Sequence, residues 1–437
     1  MNQPDGPPKP SIESLPVELK RAILSALPDV STIKSAVLSS PSLYNAYIDA
    51  HHQILHEVLL KKLHPSLVSD ALLTLRSSKL GAKAKDREMV QTFIQTWLRD
   101  RPPPLEPKWT LPDSIAVNEL QSHVDFFSAD FASSALSANP LDGSPDDSPS
   151  PPTEMESCRI QRAFYRFELH CHLFRHQHHQ RLHHPHEDSC LFFASHSPWE
   201  NEQLACIHDY LYKRLSIAFD DVAAHDVDWG EMSINYETDT DPPGNIWKQR
   251  MLSQGLSFLR RAVHAETYSE RYQLLNPLVE DYNDYSLYDG LESTNRFEEP
   301  QSDLADWTSD EKALLINKPS VNDLDEGPRA AWWWTHEHNS RAMFVASVHH
   351  RVLRERGYVM WDRARLCRWG FFTGSWAPPP RRLGREAFER RDDEILESFR
   401  ERSLIWRVGG KGWWSKDDYS HIKWPKGVDE THIRRHE

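Results

Sequence analysis

Apolar residues in this chain recur at spacings of three and four between stops made of proline and a capping residue, which confines each run to one face of an α-helix. Leu15, Leu19, Ile23, Leu24 and Leu27 form the first run, and Pro16 suits its opening turn, where a missing N–H costs nothing. Asp29 is placed to cap a short second helix carrying Ile33, Val37 and Leu38. Ser40 and Pro41 open a longer third helix whose stripe is Leu43, Tyr47, Ile54 and Val58. Residues 65–79 and 87–99 read as two more amphipathic helices, and 113–131 as another. Thr153 with Glu156 makes a capping box for a helix bearing Ile160, Phe164, Phe167, Cys171 and Phe174. Ser197, Pro198 and Glu200 give a complete start signal for a helix reaching about Phe219, with Leu204, Ile207, Leu211, Leu215 and Ala218 inward. Residues 245–272 and 330–356 each read as one long helix, and 281–304 shows no period. The fold class is therefore all-α, an N-terminal three-helix segment followed by a large irregular helical domain with long loops.

With 437 residues there is room for several folded units, and the boundaries fall where periodicity fails. Residues 1–10 read as a disordered N-terminus, 11–64 as the helical segment, 65–136 as a helical connector and 137–157 as a Pro/Ser/Asp-rich flexible loop. Residues 158–437 form the remaining helical, tryptophan-rich body.

What the chain lacks narrows its chemistry. Sixteen glycines against thirty prolines leave few sites for a backbone phosphate cradle, and no nucleotide-loop, nucleophile-elbow or zinc-protease motif occurs. A calcium-loop candidate beginning at Asp239 fails because Pro243 and Arg250 stand at ligand positions. No cofactor is implied. Five cysteines without a C-x-x-C pair suit reduced thiols, hence an intracellular setting, cytoplasmic and/or nuclear. No apolar run is long enough to cross a membrane. The net charge of −14 is concentrated in residues 218–326, with 24 acidic and 8 basic side chains there, so nucleic-acid and anionic-membrane partners are excluded and a basic protein target fits better.

The run SLPVELKRAILSALPDVSTIKSAVLSSPSLYNAY, residues 14–47, resembles an F-box of the form common in filamentous fungal proteins. It has a Leu-Pro-x-Glu-Leu opening, an Ile-Leu pair, a Leu-Pro-Asp turn and then Leu-Ser-Ser-Pro-x-Leu-Tyr. Many F-boxes carry a tryptophan in the third helix; here Tyr44 and Tyr47 stand in that space. The resemblance covers about the first sixty residues. It implies docking on the Skp-type adaptor of a cullin-RING ubiquitin ligase, with the rest of the chain selecting a target. The adaptor contacts it implies are Leu15, Pro16, Leu19, Ile23, Leu24, Ile33, Val37, Leu38 and Tyr44.

Two other features carry possible chemistry. His172, His176, His179 and His183 line up about 130° from the phenylalanine stripe of their helix, which places them toward water or a partner. Such i, i+4 pairs can hold zinc or copper, but the stripe is read as carrying no carboxylate and no metal is assigned. Eleven of the sixteen tryptophans lie after residue 300, and adjacent Trp332, Trp333 and Trp334 cannot all enter one core. They are the candidate target-binding residues. The resulting expectation is a non-catalytic substrate receptor. The alternative is a helical interaction or scaffold protein whose F-box-like segment is only structural, and a weaker third reading is a metal-dependent enzyme using the histidines.

Overall fold

The structure, a computed structural model, describes residues 11–81, 86–100, 108–145, 150–175, 185–231, 245–278, 286–294, 304–316, 323–337, 350–377 and 385–435. It is all-α. The N-terminal segment is α1 (Val17–Ala26), α2 (Val30–Ser39), α3 (Pro41–Ile48) and α4 (His51–Leu59). There follow α5 (Val68–Ser78), α6 (Arg87–Phe93), α7 (Leu111–Ala135), α8 (Glu154–Phe174), α9 (Pro185–Ala194) and α10 (Pro198–His225). The second half contains α11 (Ile246–Leu252), α12 (Leu256–His264), α13 (Tyr268–Leu275), α14 (Leu287–Ser293), α15 (Ser309–Ile316), α16 (Gly327–His336), α17 (Arg351–Glu355), α18 (Arg363–Arg368) and α19 (Arg385–Arg407). The strands among the described residues are β1 (Lys411–Gly412) and β2 (Ile422–Lys423), paired antiparallel.

The caps seen in sequence are made. Asp29 accepts from the Thr32 N–H at 2.8 Å, Ser40 from the Leu43 N–H at 3.3 Å, and Thr153 with Glu156 closes both halves of its box. Glu200 takes the Ser197 N–H at 2.9 Å, fixing the start of α10. Residues 94–99 continue α6 in a wider π turn, so the expected helix over 87–99 is present.

Two expected helices are divided, each for a visible reason. The third helix of the N-terminal segment stops at Asp49, because Arg21 takes the Ala46 carbonyl at 3.3 Å and the His51 ring takes the Ile48 carbonyl at 2.8 Å. Four helices replace three. The helix expected over 245–272 breaks at Gly255, whose φ of +87° favours glycine, and a Cβ there would lie 2.7 Å from the Glu168 carboxylate. Glu168 uses that opening to cap α12 through the Leu256 N–H at 2.7 Å. A capping box of Thr267 and Glu270 then starts α13 afresh. The helix expected over 330–356 is seen as α16 and α17, and residues 338–349 between them lie outside the described residues.

Helices α8 and α10 pack on each other at the centre, α8 against α5 and α7, α10 against α11 to α14 and α16, α17 and α19. One apolar core runs from Leu24 through Phe371, and a second gathers Val227, Ile405, Trp414, Ile422 and Ile433 around the C-terminal hairpin. Almost the whole circumference of α8 is buried, charges included. Each charge is met: Arg159 by Asp323 and Asp362, Arg162 by Asp70 at 3.4 Å, Arg166 by Glu200 at 2.5 Å, Glu156 by Arg365 at 2.7 Å. Losing one partner of such a pair typically costs about 3–5 kcal/mol, because the other charge is left enclosed.

Candidate functional site

In the N-terminal segment α1 and α2 both pack on α3, while α2 and α4 pack on α7. Ser40, at the head of α3, donates to Glu13 at 2.6 Å, and Arg21, further along α1, pairs with Asp49 at the tail of α3 at 3.3 Å. Helices α1 and α3 therefore run in the same sense. Lys61 holds the Ser25 and Leu27 carbonyls at 2.5 and 2.6 Å, and Trp109 donates to His56 at 3.1 Å. The Lys61 bonds close the segment on itself, while Trp109 joins its inner side to the body.

Its outer side is uncovered. Leu19 is 51% exposed, Leu38 75% and Tyr44 47%, with Ile12, Val17 and Ile48 also exposed. These six are half of the twelve large exposed apolar side chains among the described residues, on a tenth of the chain. Single exposed leucines are ordinary, whereas concentration marks an interaction surface. The Ser40–Glu13 bond sets the turn bearing Ile12 beside the junction that follows Leu38.

The nine residues implied as adaptor contacts divide. Pro16, Leu19, Leu38 and Tyr44 are exposed, and Leu15 and Ile23 are half-buried. Leu24, Ile33 and Val37 are interior and offer a partner nothing, which corrects the expectation for those three. They point inward because α3 and α4 cover the inner sides of α1 and α2, with α7 also covering that of α2, and an amphipathic stripe is by its nature the covered side. Ile12, Val17 and Ile48 were missed, since none belongs to a stripe. Of the two tyrosines, Tyr47 is core and Tyr44 is outward.

The tryptophan cluster is met largely by its own chain. Trp332 is buried and stacks on His336 at 4.6 Å. Trp333 is half-buried under Lys312, and Trp334, also half-buried, donates to the Gly374 carbonyl at 2.9 Å beside Phe371. Such pairings use the ring and N–H that a target would need.

Among the candidate histidines, His172 is turned largely away from water. It is 14% exposed, at 3.3 Å from Glu168 one turn earlier and 3.0 Å from Ser77. A carboxylate therefore does lie on that stripe. His176, His179 and His183 are outside the described residues. His172 and Glu168 line a cleft of about 270 Å³ between α5, α7, α8 and α12, opposite His123 and Glu119. Burial pushes the Glu168 carboxyl up, but the His172 bond and charge and the Leu256 N–H outweigh it and hold it below the usual range. Burial, then Arg260, pushes the His123 imidazole down. Ser77, His172 and Glu168 form a chain of the types used in nucleophilic catalysis, but Ser77 is fully enclosed within α5 and donates to the Thr74 carbonyl at 2.7 Å. The trio is a packing clamp between helices. Among the described residues no group of three His, Cys, Asp or Glu is arranged to hold a metal ion.

The acidic middle is partly structural. Asp220 pairs with Lys248 and Asp221 with Arg271, both at 2.7 Å, while Asp226 accepts from Tyr268 and Asp323 from Arg159. All five cysteines are free thiols, and no described helix is long and apolar enough to cross a membrane. Comparison with family models, curated proteins and solved structures finds no match in any of the three.

Proposed function

We propose that the chain is a non-catalytic substrate-receptor subunit of a cullin-RING (SCF-type) ubiquitin ligase, docking on a Skp-type adaptor through the outer face of α1 to α3. The helical body would then hold a target protein, and the protein's work is placement, raising the local concentration of target lysines near a ubiquitin-loaded enzyme. The single observation that supports this is the concentration of uncovered apolar side chains within residues 12–48, on the segment that resembles an F-box. Such a ligase component acts inside the cell, and a basic target fits the net charge of −14.

The test is recovery of the adaptor with the intact chain and with a Leu19→Asp, Leu38→Asp double variant. Two leucines at roughly 1.5–3 kcal/mol each predict at least about tenfold weaker capture. Because both side chains lie outside the core, the thermal midpoint should not move. Equal recovery with the double variant, or none with the parent, overturns the proposal.

A second reading draws on the inner side of the same segment. Leu24, Ile33 and Val37 belong to the main core, as a purely structural subdomain requires. Under that reading the double variant changes neither partner recovery nor stability.

A further inference from the structure

The chain contains five Ser-Pro dipeptides, at Ser40, Ser144, Ser148, Ser150 and Ser197. Ser40 and Ser197 are buried at helix starts and out of reach of an enzyme. Ser144 is exposed, but its hydroxyl donates to the Asp142 carboxylate at 2.6 Å, which would repel a second anion. Ser148 lies outside the described residues.

Ser150 has the opposite surroundings. Its Oγ accepts from Arg365 Nη1 at 2.9 Å and faces Arg368 Nη2 at 3.4 Å. Its own proton has no acceptor among the described residues. Arg365 is already oriented, because its Nε and Nη2 hold the two oxygens of Glu156 at 2.9 and 2.7 Å, while Nη1 also holds the Ser150 carbonyl at 2.9 Å. The edge turned to Ser150 is therefore separate from the edge that Glu156 occupies. Arg368 is exposed and has no carboxylate partner among the described residues. Ser150 itself is half-buried on a stretch without regular structure, followed by Pro151. A hydroxyl bracketed by two guanidiniums, one fixed and one unpaired, is a preformed seat for a dianion.

We infer that Ser150 is a phosphorylation site for a proline-directed protein kinase, and that its phosphate is clamped between Arg365 and Arg368. The Ser150 hydroxyl oxygen bonds to the γ-phosphorus of ATP, the bond from that phosphorus to the β–γ bridging oxygen breaks and ADP leaves. The hydroxyl proton passes to the kinase's base. The clamp ties residues 150–153, and through them the start of α8, to α18. The loop's other end is held there too, by Asn139 on the Trp369 carbonyl at 3.2 Å, so the modification tightens a joint between distant parts of the chain.

The experiment uses the full chain with Ser144→Ala and Ser148→Ala. Kinase and ATP are added and the product is mapped by mass spectrometry; in parallel, phosphoserine is installed at 150 during translation. Phosphorus NMR then follows the second ionisation of the phosphate, ordinarily near pH ~6. In the native chain its midpoint should lie at least about half a unit below that in urea, and Arg368→Ala should remove most of the difference. Failure of the kinase to label Ser150 in the folded chain under conditions that fully label the same Ser-Pro sequence as a free peptide overturns the modification. An unshifted midpoint, or one indifferent to Arg368→Ala, overturns the clamp.

Discussion

Glu202, on α10, is wholly enclosed, and its nearest cation, Arg354 Nη1, stands 3.6 Å away. Arg354 gives its closer bond, 2.7 Å from Nε, to Asp209. One guanidinium thus serves two buried carboxylates, unequally. Burial pushes Glu202 up to about 7, Arg354 offsets only part of this and Asp209 adds to it, whereas Arg354 and His208 hold Asp209 down at about 2 against its own burial. A raised folded value means the native chain keeps a proton that the unfolded chain releases above its ordinary value of 4.5. Stability from this group is therefore complete below pH 4.5 and is lost as the pH rises to about 7. His336, held near 4 by burial, acts in the opposite sense as the pH falls, so the measurement has to be a difference. Urea unfolding of the parent and of Glu202→Gln should show the parent losing roughly 2–3 kcal/mol relative to the variant across that window, with a flat difference above it. A difference that does not change with pH would place the titration elsewhere.

At the level of elements, α8 shows what spacing can and cannot display. Its capping box and its stripe from Ile160 to Phe174 were legible, because a cap spans three residues and a stripe spans turns of one helix. Thr153→Ala should lower stability by about 1 kcal/mol, within a range of about 0.5–2, read as a lower urea midpoint. An unchanged midpoint would mean the cap is satisfied by water. The remaining faces of α8 were not legible, since the partners of Arg159, Arg162 and Arg166 lie at Asp323, Asp362, Asp70 and Glu200. The break at Gly255 was hidden for a similar reason: the carboxylate that occupies the space belongs to Glu168, remote in sequence. On α1 and α2 the F-box-like motif, not the stripe, drew Leu24, Ile33 and Val37 into a contact surface, although all three are buried. Leu19 and Leu38, named by the same motif and lying on the same helices, are exposed.

Across the whole molecule, the all-α class followed from the helical period, while the way the N-terminal segment joins the body did not. Residues 11–64 have an inner side sealed on α7 and an outer side left bare. Removing residues 1–64 strips Ile54, Leu55, Val58 and Leu59 from the core that also contains Val117 and Val124 of α7. The truncated chain is expected to aggregate during expression, measured as loss of the monomer peak in size-exclusion chromatography. A monodisperse, cooperatively melting product would show that the body closes over α7 unaided. Aggregation is expected whichever role the segment has, so the outer-face variants, not the truncation, separate the two readings.

The bare face has a further consequence for the life of the molecule. A chain that keeps so much greasy surface in one place is a poor solitary particle, and copies in excess of whatever covers that face will stick to one another. Under the proposed function its usable amount is set by the supply of the adaptor rather than by its own rate of synthesis, and surplus copies become work for chaperones and proteases.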